Sequence, residues 1–372
     1  MIRRREFLEM SALSKALALK ADAAPAEGES RNRQSGVAYR KLGRTGYLIS
    51  EVVMGGNTIS VDSYDHVLKA LDMGLNYLDT APAYGNGRSE AGYAKVIQAR
   101  GRDKFFLNSK ISTWDVNRNK LYADIFASLD ATEQKRLRTA AKDEVTRRQI
   151  EAPEYFIGYF NGQQDELDAA SLSNVMAKKY GEKIDRPKNY RDLILKSVDE
   201  TLTRLGTDHL DLLMCPHGAN TPYEVLNHPE IFEAFETLKK AGKARHLGLS
   251  SHTDPAGVLE AAVKAKVYSA AMVAYHMFNG PRVTPAIAAA SKAGLGVIAM
   301  KAARPANMGR GRVTPQDRLD RLNAAVPGDL SAPRKSYVWA LRNPNLTACV
   351  SEMITMQHVE ENVVLAKQKP AA

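Results

Sequence analysis

Residues 74–90 read Gly-Leu-Asn-Tyr-Leu-Asp-Thr-Ala-Pro-Ala-Tyr-Gly-Asn-Gly-Arg-Ser-Glu. The run opens apolar, from Leu75 to Leu78, turns polar at Asp79 and passes through Pro82 and Gly85, the pattern of a buried strand running out into a loop. Similar strand-like runs stand at 52–54, 105–108, 210–214, 247–249, 270–273, 297–300 and 347–350. Helix-like stretches alternate with them at 63–73, 89–99, 190–205, 230–240, 254–264, 285–292, 334–342 and 357–366. Parallel strands need crossover connections, so this alternation implies a parallel α/β sheet, and eight such units can close into a (β/α)8 barrel. An open, doubly wound sheet is disfavoured because no G-x-G-x-x-G follows the first strand.

Before the barrel, residues 39–50 form two short runs around a Gly-bearing turn, a hairpin signal. After the third strand the alternation breaks. Residues 115–188 carry charged helical patterns and the aromatic residues Tyr155, Phe156, Tyr159 and Phe160 where a tight βα connection is expected. This reads as a helical insertion emerging at the C-terminal face, either a lid or substrate wall or a packing and oligomerisation element. The expected organisation is residues 1–36 as signal and linker, 37–114 with 189–367 as barrel, and 115–188 as insertion.

The head of the chain has a different character. Arg3-Arg4-Arg5-Glu6-Phe7-Leu8 resembles the twin-arginine export signal, and Ala24-Pro25-Ala26 fits a cleavage site. Periplasmic or other extracytoplasmic location, with the export machinery as a partner, is the expectation, and cytoplasmic location otherwise. Residues 27–36 read as a disordered linker. The net charge of +10 is spread along 372 residues without a dense basic block, which excludes a nucleic-acid footprint. No apolar run is long enough to anchor the chain in a bilayer. Cys215 and Cys349 make neither a disulfide framework nor a zinc site, and both read as buried thiols.

Gly74, Asn76, Asp79, Thr80, Ala81, Tyr84 and Gly85 resemble the signature of the aldo-keto reductase family. Tyr39-Arg40-Lys41-Leu42-Gly43-Arg44-Thr45-Gly46 resembles its first hairpin, which plugs the barrel bottom, and Gly242 to Ser250 resembles its fifth-strand run. The resemblance implies hydride transfer between a nicotinamide dinucleotide and a small carbonyl or alcohol. It implies Tyr84 as general acid, Lys110 lowering the phenol's pKa, Asp79 pairing with Lys110, and His217 orienting the carbonyl. These groups stand at the ends of different strands, where a barrel places its chemistry. His217 lies six residues after Asp211 rather than the usual five, with Pro216 in the customary place. The competing reading is a non-catalytic nucleotide-binding barrel acting as a sensor or regulatory subunit.

For the nucleotide, the resemblance points to Gly56, Asn57, Ser250, Ser251, Met272, Met300, Lys301, Ser351, Glu352, His358, Glu361 and Asn362. Ser251 stands where the family usually has Asn, Met272 where Gln is common, and Met300 where an aromatic residue often stacks. NADPH-preferring members carry cations after the eighth strand. Here those positions hold Glu352 and His358, which tilts the expectation toward relaxed or NADH-leaning use, while Arg304, Arg310 and Arg312 could supply charge from the seventh loop. Trp114, just after the third strand, is either a pocket-lining residue or an ordinary core or surface Trp. The substrate and the oligomeric state are left open by the sequence.

Overall fold

The computed structural model describes residues 28–309 and 311–366. The twin-arginine-like stretch and Ala24-Pro25-Ala26 lie outside the described residues. Strands β1 (Glu29–Ser30), β2 (Tyr39–Lys41) and β3 (Tyr47–Ser50) form a small sheet in the order β1-β3-β2. Eight parallel strands follow: β4 (Val52–Gly55), β5 (Tyr77–Asp79), β6 (Phe106–Lys110), β7 (Leu210–Met214), β8 (Ala244–Ser251), β9 (Ala270–Ala274), β10 (Gly296–Met300) and β11 (Ala348–Ser351). They close a barrel, with β11 pairing back onto β4.

The helices are α1 (Asp65–Asp72), α2 (Arg88–Arg100), α3 (Ser112–Ala127), α4 (Ala131–Arg147), α5 (Gln163–Tyr180), α6 (Leu193–Leu205), α7 (Pro222–Leu226), α8 (Pro229–Lys240), α9 (Pro255–Ala265), α10 (Gly280–Lys292), α11 (Gln316–Ala325), α12 (Ala332–Leu341) and α13 (Met356–Val363). The local sequence writes several of their starts. Asp254 caps α9 through Gly257 N, with Pro255 in the first turn, and Thr221 and Glu224 form a capping box on α7. Helix α10 begins five residues before the periodicity suggests and carries Pro285 inside it.

Side chains alternate in and out along each barrel strand. The inward set, including Val53, Tyr77, Phe106, Leu212, Met214, Met272, Ile298 and Met300, packs with Leu42, Tyr47 and Ile49 of the hairpin region. The Tyr47 and Phe106 rings stack at 4.1 Å, so the hairpin plugs the barrel bottom. The outward set, such as Leu78, Leu107, Leu213 and Val273, packs under the helices. Burial on both faces explains why these strands read as continuous apolar runs.

Residues 28–36 are not the disordered linker their polarity suggests. Strand β1 pairs with β3, and Arg31 donates to Phe105 O at 2.8 Å and to Asp211 Oδ2 at 3.1 Å. Asn32 donates to the carbonyls of Leu71 and Leu75. A polar segment stays ordered when its donors find buried acceptors, and those acceptors lie far away in sequence.

Between β6 and α6 stand α3, α4 and α5, with a loop at 148–162. Helix formation starts at Ser112, earlier than residue 115. Trp114 takes the core alternative. It is fully buried beneath these helices, edge-on to His228 at 4.8 Å and to Tyr190 at 5.8 Å.

Candidate active site

Inward parity brings Asp79 on β5 and Lys110 on β6 together at the C-terminal mouth of the barrel. Lys110 Nζ donates to Asp79 Oδ1 at 2.5 Å, to Thr80 O at 2.9 Å and to Tyr84 OH at 3.0 Å. The Lys110 side chain is 1% exposed and that of Asp79 3%. Such a pair holds its charges only because each has several partners. Asn108, two residues before Lys110 and on the same strand face, donates to Asp79 Oδ1 at 2.5 Å.

Tyr84 reaches this pair through the turn that follows Pro82. Tyr84 N bonds Ala81 O, and Gly87 N bonds Pro82 O. Gly85, Asn86 and Gly87 have φ of 59°, 54° and 85°, left-handed conformations that glycine and asparagine accept most readily. Gly56 serves the same corner structurally, since a Cβ there would stand 2.2 Å from Asp79 O.

His217 follows β7 after the cis Cys215–Pro216 peptide. Ser250 N bonds Pro216 O and Ala219 N bonds Ser250 O, tying this loop to β8. The extra residue is absorbed, and the His217 ring stands 6.1 Å from the Tyr84 ring. Ser112 Oγ and His217 Nδ1 share a 2.8 Å hydrogen bond.

Burial raises the Tyr84 phenol well above its ordinary pKa, and the carboxylates of Asp79 and Glu352 add to the rise. The net shift is upward, against the expected lowering, because burial outweighs whatever the nearby ammonium contributes, and that ammonium is itself paired with Asp79 at 2.5 Å. Burial lowers the Lys110 pKa, with Asp79 opposing. Burial, then the charge of Lys110, pulls His217 down to about 3, so its imidazole is neutral at neutral pH.

The nucleotide candidates divide. Ser250 and Ser251, buried at the end of β8, have hydroxyls with no hydrogen-bond partner among the described residues. Orphaned buried hydroxyls of this kind suit an external amide. Met300 ends β10, and Lys301 follows it with a positive φ of 61°. Asn57 and Glu352 are exposed and face each other across β4 and β11, at 3.4 Å. His358 lies in the first turn of α13, its N–H capped by Thr355. Met272 sits mid-strand, packed in the barrel interior. Ser351 and Asn362 bond each other at 3.0 Å and tie α13 to β11, while Glu361 bonds Gln357 at 2.7 Å on the helix surface. Arg312 donates to Gly158 O in the insertion at 2.8 Å.

A hollow of about 640 Å³ opens at the other end of the barrel, beside Arg31, Arg102, His209, Arg245, Glu29 and Asp208. Its charges pair with one another and with Asp211.

A family model described as the aldo/keto reductase family matches residues 52–155 and 173–369. The chain belongs to the aldo/keto reductase family. One relative, the oxidoreductase YdhF of Escherichia coli, is 41% identical over 63 residues, a match covering 17% of this chain and 20% of that protein. The uncharacterized oxidoreductase YrpG of Bacillus subtilis is 25% identical over 356 residues, covering 87% of this chain and 90% of YrpG. In fold, the chain is similar to the holo form of aldo-keto reductase AKR11C1 from Bacillus halodurans, with a TM-score of 0.59 at 21% identity, covering 90% of this chain and 93% of that one. Within this aldo/keto reductase, sequence reasoning missed Asn108, Ser112 and His252. Period-two alternation back from Lys110 was the signal available for Asn108.

Proposed function

We propose that the protein is an NAD(P)H-dependent oxidoreductase that interconverts a carbonyl and an alcohol at the mouth of the barrel. One observation carries this reading: a phenol, an ammonium and a carboxylate from three chain positions share one hydrogen-bond network, with Lys110 Nζ at 3.0 Å from Tyr84 OH and 2.5 Å from Asp79 Oδ1. Ser250 and Ser251 would hold the carboxamide end of a nicotinamide dinucleotide, and Met300 and Lys301 would flank it. The bound dinucleotide supplies the hydride for the carbonyl carbon.

The chain's own residues supply everything else. Tyr84 holds its proton, because burial and two carboxylates favour the neutral phenol. It therefore acts as a donor to the carbonyl oxygen rather than as a base. As the proton leaves, the phenolate oxygen gains the Lys110 hydrogen bond in full, so the ammonium stabilises the charge where it develops. Asp79 keeps Lys110 charged and aimed. Ser112 fixes one nitrogen of the neutral His217 ring, and the other orients the carbonyl. The non-catalytic nucleotide-binding alternative leaves this network without a purpose.

Tyr84→Phe keeps the ring and removes the proton. Turnover of a generic aldehyde should fall about 10²- to 10⁴-fold, with nucleotide affinity, read by titration of NADPH fluorescence, unchanged. Full activity in the variant removes Tyr84 as the acid.

A further inference from the structure

The insertion reaches beyond its own helices. Its loop at 148–162 crosses the barrel mouth and is fastened beyond three strands. Past β8, Tyr155 OH donates to Asp254 Oδ1 at 2.7 Å. Past β9, Tyr159 OH and His276 Nε2 share a 2.7 Å hydrogen bond. Past β10, Arg312 donates to Gly158 O at 2.8 Å. Tyr159 N–H is held in turn by Gln163 Oε1 at 2.7 Å. With the backbone pinned on these sides, Phe160 has a fixed direction. Its half-buried ring lies edge-on to His252, with centroids 5.3 Å apart and planes at 77°.

His252 follows β8 directly, next to the orphaned hydroxyls of Ser250 and Ser251. Burial, and then the charges of Lys301, His217 and Lys110, depress its pKa well below the usual value. His252 follows the C-terminal end of β8 as His217 follows that of β7 and Lys301 that of β10, so it stands on the same rim of the barrel as the candidate site. The family model passes over residues 156–172, which places Phe160 in a part of the chain that the family pattern does not describe.

We propose that Phe160 and His252 form the substrate-selecting wall of this site, and that they select aryl carbonyls, compounds with a flat aromatic ring beside the reacting C=O. The proposal rests on the reductase reading above. With the carbonyl oxygen held at Tyr84 and His217, the rest of the substrate must lie against the remaining walls. Here that wall is a phenyl ring and a neutral imidazole set at a right angle, a corner that favours a flat ring over a saturated chain.

The test compares benzaldehyde with butanal in wild type, Phe160→Ala and Phe160→Leu at saturating nucleotide, with Phe156→Ala as a control. Phe156 packs inside the insertion, against Val145, Ile150 and Leu167. The Phe160 variants should lose about tenfold or more in kcat/KM for benzaldehyde and keep butanal within about threefold. Phe156→Ala should treat both aldehydes alike. Equal losses for the two aldehydes, or none, overturn the wall. Saturation-transfer NMR of benzaldehyde on the nucleotide-loaded protein separates the two readings. Binding that needs Phe160, without turnover in wild type, sinks the reductase and keeps the wall. Binding indifferent to Phe160 sinks the wall whatever the turnover.

Discussion

The two ends of the barrel both bury charge, and they do so differently. At the bottom, Asp211 takes Arg31, Arg102 and the N–H of Leu107, and Arg31 and Arg102 also bond main-chain carbonyls. At the mouth, Lys110 and Asp79 neutralise each other, yet the hydroxyls of Ser250 and Ser251 and the Oδ1 of Asn108 are left without partners among the described residues. Burying a polar group unpaired costs about 1–3 kcal/mol. The bottom is not fully hydrogen-bonded either, since Asp211 Oδ1 and Arg102 Nε lack such partners, but both belong to groups already held in ion pairs, whereas the serine hydroxyls of the mouth have no partner of any kind among the hydrogen bonds of the described residues.

The sharpest way to break this contrast is at the mouth. Lys110→Met should abolish turnover and also destabilise the protein by about 3–5 kcal/mol, because Asp79 is left buried without its cation. Adding Asp79→Asn should recover most of that stability and none of the activity. Urea midpoints of the two variants measure this. A double variant no more stable than the single one would mean that the pair contributes nothing as a pair.

The matching change at the bottom is Asp211→Asn. Arg31 and Arg102 would lose their shared counter-ion, and stability should fall by about 3–5 kcal/mol. The kcat of the protein still folded should be unchanged, since the site lies at the other end. Burial works against the Asp211 charge, but Arg102 and Arg31 outweigh it and hold its pKa below the ordinary carboxylate value. A depressed folded pKa means stability that is present above about pH 4 and lost as pH falls further. Wild type should therefore show an acid-side loss that the variant lacks, read from thermal melts between pH 3 and 7. A loss of kcat at full folding would erase the distinction between the two ends.

The same contrast explains what the sequence disclosed. Strand ends are legible because an apolar run and its polar break are local, so Asp79 and Lys110 could be placed from the sequence. The barrel was legible because eight such runs alternate with eight helix-like stretches. The clamp of Arg31 was not, because Asp211 lies 180 residues away and nothing near Arg31 signals it. The place of Trp114 just after a strand allowed pocket, core or surface, and α3, starting at Ser112, turns it into the core. The importance of Phe160 depends on where a loop crosses the mouth, which the distant partners Asp254, His276 and Arg312 decide. The direction of the Tyr84 shift was also out of reach, since it depends on how deeply the phenol is buried.

The smallest expected effect concerns Glu352, on the rim between the two regimes. Its carboxylate is exposed and accepts from Asn57 Nδ2 at 3.4 Å. Two unit charges about 4 Å apart in water interact by only about 1 kcal/mol. Glu352→Gln should therefore shift the ratio of NADPH to NADH affinities toward NADPH by no more than about fivefold. A second readout comes from the mouth. Glu352 is one of the charges holding the Tyr84 pKa up, after burial and Asp79. On the proposed mechanism Tyr84 donates its proton, so reduction should run while the phenol is protonated and decline as pH rises through its pKa. Removing the carboxylate lowers that pKa, and the alkaline fall in kcat/KM should begin at a lower pH in the variant. Profiles carried from pH 7 to the most alkaline pH at which both proteins stay folded decide it. A limb that moves upward would place Glu352 outside the field of Tyr84, and a ratio that moves toward NADH would remove it as a selector.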